Sequence, residues 1–201
     1  MLVRHALPVR VDATPDGRPA DPGLSAQGHE QAARLVQALA GDEVTALCTS
    51  PSARARETAA PLERALGLPS TVVPGLAEFD VDDPSYVPVE ELRADGDPRW
   101  EALLRGDLYS PTVDPVAFRA RAVAACEAVA ARHPGGRAVL LTHAGVCNAY
   151  LGSLLGQQRS LWYAPAYASL QRVAAARDGR RAVTSLNETG HVRDLLGRRS
   201  A

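Results

Sequence analysis

Short apolar runs that stop abruptly and hand over to helix-opening sequence constrain this chain more than any other feature. Val44-Thr-Ala-Leu-Cys-Thr49 gives way to Ser50-Pro51, a capping residue with proline at the first helical position, and a helix is predicted from there to about Leu66 and Gly67. Arg137-Ala-Val-Leu-Leu-Thr142 gives way to His143 and a small-residue helix from about Ala144 to Leu155. Apolar runs without alternation read as strands buried on both faces, and intervening helices impose parallel pairing. The expected architecture is α/β, with three layers, α/β/α, around a mostly parallel central sheet.

The remaining segments extend that pattern. Met1-Leu-Val is very short for a strand and stops at Arg4-His5, either as a stub or because the start is trimmed. Residues 7–23, rich in Pro, Asp and Gly, read as a loop; Ser25 then caps a helix with Ala32, Ala33, Leu35, Val36 and Leu39 at helical spacing, closed by Gly41. Thr71-Val72-Val73 is a further short strand. From about 74 to 114 the periodicity collapses, apart from a helical turn around Trp100–Leu104, and the segment reads as an irregular, substrate-covering insertion. Asp114-Pro115 opens an alanine-rich helix through Ala131, and Ala168–Ala175 with Ala182–Leu186 resemble a terminal hairpin. With no internal repeat or break in composition, residues 1–201 are expected to form one domain.

Composition removes whole classes of chemistry. All 22 basic residues are arginine, so Walker-type phosphate loops, kinase nucleotide clamps and Schiff-base chemistry are excluded. Isoleucine is missing too, which points to a coding bias and deprives arginine abundance of meaning. A net charge of −1 provides no bulk field for nucleic acid or anionic lipid, and neither is an expected partner. Cys48, Cys126 and Cys147 form no CxxC pair and each lies in an apolar run, as reduced core thiols do. No apolar stretch reaches membrane-spanning length and no secretion signal opens the chain, so a cytoplasmic location is expected, with a homodimer left open.

Ligand sites in parallel sheets lie beyond the carboxyl ends of the strands. Arg4-His5, Ser50-Pro51 leading to Arg54, and His143 all follow strands directly and should converge. Position is what distinguishes Arg4-His5 from the second Arg-His pair, Arg132-His133, whose charge suits a helix's last turn. Two imidazoles and two guanidiniums around one point suit a tetrahedral dianion, because arginine forks hold phosphate oxygens bidentately. The helix openings after Ser50 and at Ala144 would add backbone N–H donors. The arginines would keep His5 neutral and nucleophilic. A leaving alkoxide also needs a proton donor, for which Glu78 is the candidate, with Phe79 beside it to raise its pKa; Asp80, Asp82 and Asp83 compete.

Five ordered blocks carry a resemblance. Leu2-Val-Arg-His-Ala6, Leu24-Ser-Ala-Gln-Gly-His-Glu-Gln-Ala32, Thr49-Ser-Pro-Ser-Ala-Arg-Ala-Arg-Glu-Thr-Ala59, Leu76-Ala-Glu78 and Leu141-Thr-His-Ala-Gly-Val146 together resemble the signature of the histidine phosphatase (phosphoglycerate mutase-like) superfamily. The resemblance spans most of the chain and implies that His5 becomes phosphorylated and that Arg4, Arg54 and His143 hold the phosphoryl group. It further implies that Glu78 protonates the leaving group and then activates water, with no metal or other cofactor. Leu7-Pro-Val-Arg10 departs from the mutases, and the chain is compact beside them, so hydrolysis of a small phosphate ester is expected over isomerisation. A phosphotransfer isomerase and a non-catalytic phosphate-ligand-binding member are the alternatives.

Other residues read as ordinary structure. His29 lacks the second histidine of a zinc helix and belongs to a surface. His191 either approaches the site or packs. Phe79, Tyr86, Trp100 and Tyr109 line the non-phosphate half of the substrate or form a small satellite core. Arg10 has no assigned role.

Overall fold

The computed structural model describes residues 1–108, 110 and 113–196. Six strands, β1 (Leu2–Arg4), β2 (Ala46–Thr49), β3 (Ser70–Val72), β4 (Ala138–Thr142), β5 (Leu170–Ala175) and β6 (Arg181–Glu188), form one sheet in the order β3-β2-β4-β1-β5-β6. The first four in that order pair in parallel, and the β5–β6 hairpin adds an antiparallel edge. The helices are α1 (Ala26–Ala38), α2 (Ala53–Leu66), α3 (Val89–Asp95), α4 (Pro98–Arg105), α5 (Pro115–Arg132) and α6 (Ala144–Leu155).

The pleat explains the layers. Successive side chains leave a strand on opposite faces, so Leu2, Cys48 and Leu140 pack with Ala122, Cys126, Val146 and Leu151 of α5 and α6. Val3, Leu47, Val139 and Leu141 pack instead with Ala32, Leu35, Ala59 and Leu62 of α1 and α2. The central strands thus bury both faces, and the expected three layers are present. All three cysteines are free and buried within them. Among the described residues no helix is long and apolar enough to cross a membrane.

Local chemistry fixes the helix starts. The Ser25 side chain accepts from the Gly28 N–H and Asp114 accepts from Val116 and Ala117, satisfying donors that an opening helix leaves without partners. A Cβ on Gly28 would stand 2.0 Å from the Leu7 carbonyl oxygen, so glycine lets α1 press against the loop leaving β1. One boundary differs from the expectation. Helix α2 starts at Ala53 with Ser52 at its cap, not at Pro51, because the Ser50 hydroxyl is engaged elsewhere.

Residues 74–114 carry more regular structure than expected: a 3₁₀ turn at Pro74–Leu76, then α3 and α4 rather than a single helical turn. The 7–23 loop clasps this segment. Val11 and Tyr86 exchange backbone hydrogen bonds of 2.8 and 2.7 Å, and Ala20 N–H donates to Asp83. Arg10 joins the clasp through ion pairs with Asp12, Glu91 and Asp95.

Candidate active site

Strands β2, β4 and β1 are neighbours, so the residues just past their carboxyl ends must meet. The His5 and His143 ring centroids lie 5.1 Å apart. Arg54, in the first turn of α2, points inward and is buried, whereas Arg56 is exposed. Arg4, His5, Arg54, Glu78, Asp80 and Ala144 line an open cavity of about 40 Å³, and Phe79, Tyr86, Val89, Leu103 and Leu161 complete its wall. His143 is fully buried beside His5, one layer behind that lining. Every site residue expected from the sequence is therefore at this cavity or in contact with it.

A hydrogen bond defines the His5 tautomer. His5 Nδ1 lies 2.8 Å from the Ala6 carbonyl, which can only accept, so Nδ1 carries the proton and Nε2 keeps its lone pair. His143 Nε2 lies 2.7 Å from Ser50 Oγ. That hydroxyl also accepts from the Ser52 N–H and lies 3.4 Å from Ser52 Oγ; when it donates to His143 Nε2, the ring hydrogen sits on Nδ1. Burial, followed by the charges of Arg54 and Arg4, holds the pKa of His5 well below its ordinary value; burial, then Arg54 and His5, does the same to His143. Both rings are neutral at pH 7.

Each guanidinium is held against a tyrosine. Arg4 lies 3.6 Å over the Tyr167 ring and donates to the Pro165 carbonyl at 2.7 Å. Arg54 lies 4.7 Å over Tyr86 and pairs with Asp80 at 3.3 Å. Yet Arg54 Nε and His143 Nδ1 are buried without a hydrogen-bond partner among the described residues. Buried polar atoms are ordinarily satisfied, so the orphaned Arg54 N–H marks a place for an acceptor, and the surrounding positive charge specifies an anion.

Glu78 follows the 3₁₀ turn and is buried, with Oε2 accepting from the Gly145 N–H at 2.8 Å and Oε1 from the Phe79 N–H at 3.1 Å. Burial and then the adjacent Asp80 push its pKa up to about 7, against the lowering pull of those N–H groups and Arg54. Such a carboxyl can give or take a proton near neutrality. Asp82 lies exposed, and Asp83 is held by Ser110 and the Ala20 clasp, away from the cavity lining.

Other expectations resolve differently. The Gly145 N–H binds Glu78, and the Ala53 N–H binds Asp21 at 2.8 Å, so these helix-opening donors are already occupied. Phe79 and Tyr86 line the cavity, Trp100 does not, and Tyr109 lies outside the described residues. Phe79 also packs edge-on against Phe118. His191 packs: its Nε2 meets the Ala168 carbonyl at 3.0 Å, bracing the turn that carries Tyr167. His29 is exposed. Ser50 and Tyr167 went unforeseen, because a serine before proline signals a cap and a loop tyrosine signals nothing in particular.

This fold has known counterparts. A mycobacterial glucosyl-3-phosphoglycerate phosphatase in complex with inorganic phosphate superposes with a TM-score of 0.74 at 23% identity, covering 95% of this chain and 97% of that one. A phosphoserine phosphatase variant from Entamoeba histolytica, in complex with phosphoserine, gives 0.72 at 18% identity over 95% and 97% of the two chains. The Bacillus stearothermophilus protein YhfR gives 0.69 at 21% identity over 96% and 100%. No protein with a curated function matches by sequence. These structures share the fold, and the sequence profile of the histidine phosphatase superfamily (branch 1) matches residues 1–189. With nearly its whole length covered by that profile, the chain belongs to the histidine phosphatase superfamily, branch 1.

Proposed function

We propose that this protein is a metal-independent phosphomonoester hydrolase acting through a phosphohistidine at His5 on a small phosphorylated metabolite. The observation that carries the reading is a neutral imidazole, its Nδ1 committed to the Ala6 carbonyl, at a cavity shared by Arg4 and Arg54. A phosphoryl group there accepts from the orphaned Arg54 Nε and His143 Nδ1. His5 Nε2 attacks phosphorus in line while the bond to the alcohol oxygen breaks, and protonated Glu78 delivers its proton to that oxygen. The phosphorylated ring becomes cationic, which the Ala6 carbonyl at Nδ1 stabilises. Glu78, now ionised, takes a proton from water as the water oxygen attacks phosphorus. Inorganic phosphate leaves, and both neutral His5 and protonated Glu78 are restored. Isomerisation would need the product to turn over while retained, and a cavity as small as about 40 Å³ favours hydrolysis.

The test is rapid-quench trapping with p-nitrophenyl phosphate in EDTA. An alkali-stable, acid-labile phosphoenzyme formed at the rate of the nitrophenol burst is expected; turnover that requires added metal, or that leaves no such species, overturns the reading. Gly145→Ala probes the acid. An ideal Cβ there would stand 2.2 Å from Glu78 Oε1, so the carboxyl must move. Since a displacement of about 1 Å can cost about 10²-fold, kcat is expected to fall by that order while circular dichroism stays unchanged.

A further inference from the structure

We infer that the alcohol released is uncharged and apolar, an alkyl or aryl alcohol, rather than a hydroxy acid or a hydroxyamino acid; this rests on the hydrolase reading above. The cavity is small, about 40 Å³, and Arg4, His5 and Arg54 share its wall, so the phosphoryl group takes the polar part and the alcohol meets the remainder. In-line attack by His5 sends the leaving oxygen outward past Glu78. The apolar wall available to it, a collar for short, is Val89 from α3, Leu103 from α4 and Leu161 from the loop after α6, together with Tyr86 and Phe79.

This collar is preformed. Leu161 N–H donates to the Gly106 carbonyl at 3.0 Å, just past the end of α4. Gly106 has φ of 80°, and a Cβ on it would lie 2.7 Å from the Leu161 carbonyl oxygen, so the two segments touch at backbone level. Asp97 caps the other end of α4. Val89, Leu103 and Leu161 are each only half-buried, leaving apolar surface that a substrate can cover. Beyond the arginines that hold the phosphoryl group, the charged residues lining the described cavity are the acids Glu78 and Asp80. Asp80 already pairs with Arg54 at 3.3 Å, and no further cation lines the described cavity, so a carboxylate on the leaving group finds no partner there, whereas a hydrocarbon meets matching surface.

Methyl, butyl and hexyl phosphates release alcohols of similar acidity, so differences among them report binding to the collar. Each methylene buried should raise kcat/KM about fourfold, placing butyl phosphate about 60-fold above methyl phosphate. Butyl phosphate should also exceed 3-phosphoglycerate and phosphoserine by at least about tenfold. Leu103→Asp and Val89→Asn, on separate helices, should each cut the butyl-to-methyl ratio to about fivefold or less, chiefly through KM. A flat alkyl series, or preference for the carboxylated esters, overturns the inference while leaving phosphomonoester hydrolysis intact. If no ester is hydrolysed and no phosphoenzyme forms, the underlying hydrolase reading fails instead.

Discussion

His5→Ala is expected to lower turnover of any phosphate monoester by about 10⁴-fold or more, the scale on which removal of an activated nucleophile acts. The substitution takes away an imidazole whose Nε2 lone pair is available and directed by a fixed tautomer, since Nδ1 is tied to the Ala6 carbonyl. Arg4 and Arg54 stay in place against their tyrosines, so affinity for inorganic phosphate should persist. The combination of lost turnover, lost acid-labile phosphoenzyme and retained phosphate binding by calorimetry separates a missing nucleophile from a collapsed site. Turnover within tenfold of wild type would falsify phosphohistidine chemistry at this ring.

Glu78→Gln should cost about 10²- to 10⁴-fold in kcat on an alkyl phosphate, whose alkoxide cannot depart unprotonated. On p-nitrophenyl phosphate the loss in the first step should be far smaller, because nitrophenolate leaves without help. Wild-type kcat/KM on alkyl esters should decline above about pH 7 as Glu78 ionises, and this limb should vanish in the variant. Stability moves in a related way. The folded pKa of Glu78 lies above its ordinary 4.5, so its contribution is fully present below about 4.5 and is lost as pH rises through about 7. Glu78→Gln should therefore gain stability relative to wild type between pH 4 and pH 8 in chemical denaturation. The histidines work oppositely: with His5 and His143 depressed below 6.5, stability is present above 6.5 and declines as pH falls.

Much of this site was legible because strand ends in a parallel sheet are forced together. Arg4, His5, Arg54 and His143 each stand at such an end or one helical turn past it, and short buried runs made those ends visible. Glu78 was harder, since Asp80, Asp82 and Asp83 differ from it only in how the 3₁₀ turn and Gly145 orient the chain. Ser50 was misread as a cap because local preference cannot anticipate a hydroxyl drawn to a histidine on another strand. Helix α3 escaped for a different reason. Val89-Glu-Glu-Leu-Arg-Ala-Asp95 carries one fully buried apolar side chain, Leu92, and so shows no period. Trp100 was left between the substrate and a satellite core on residue type alone; the fold turns Leu103 to the cavity from that helix.

Val89, Leu103 and Leu161 stand on surface segments, whereas His5, Arg54 and His143 are anchored to the buried sheet. This division gives the molecule a rigid reaction chamber behind an interchangeable faceplate. A mutant library confined to the three faceplate positions should yield enzymes retuned toward new esters, each inheriting the same phosphorus chemistry from the untouched interior.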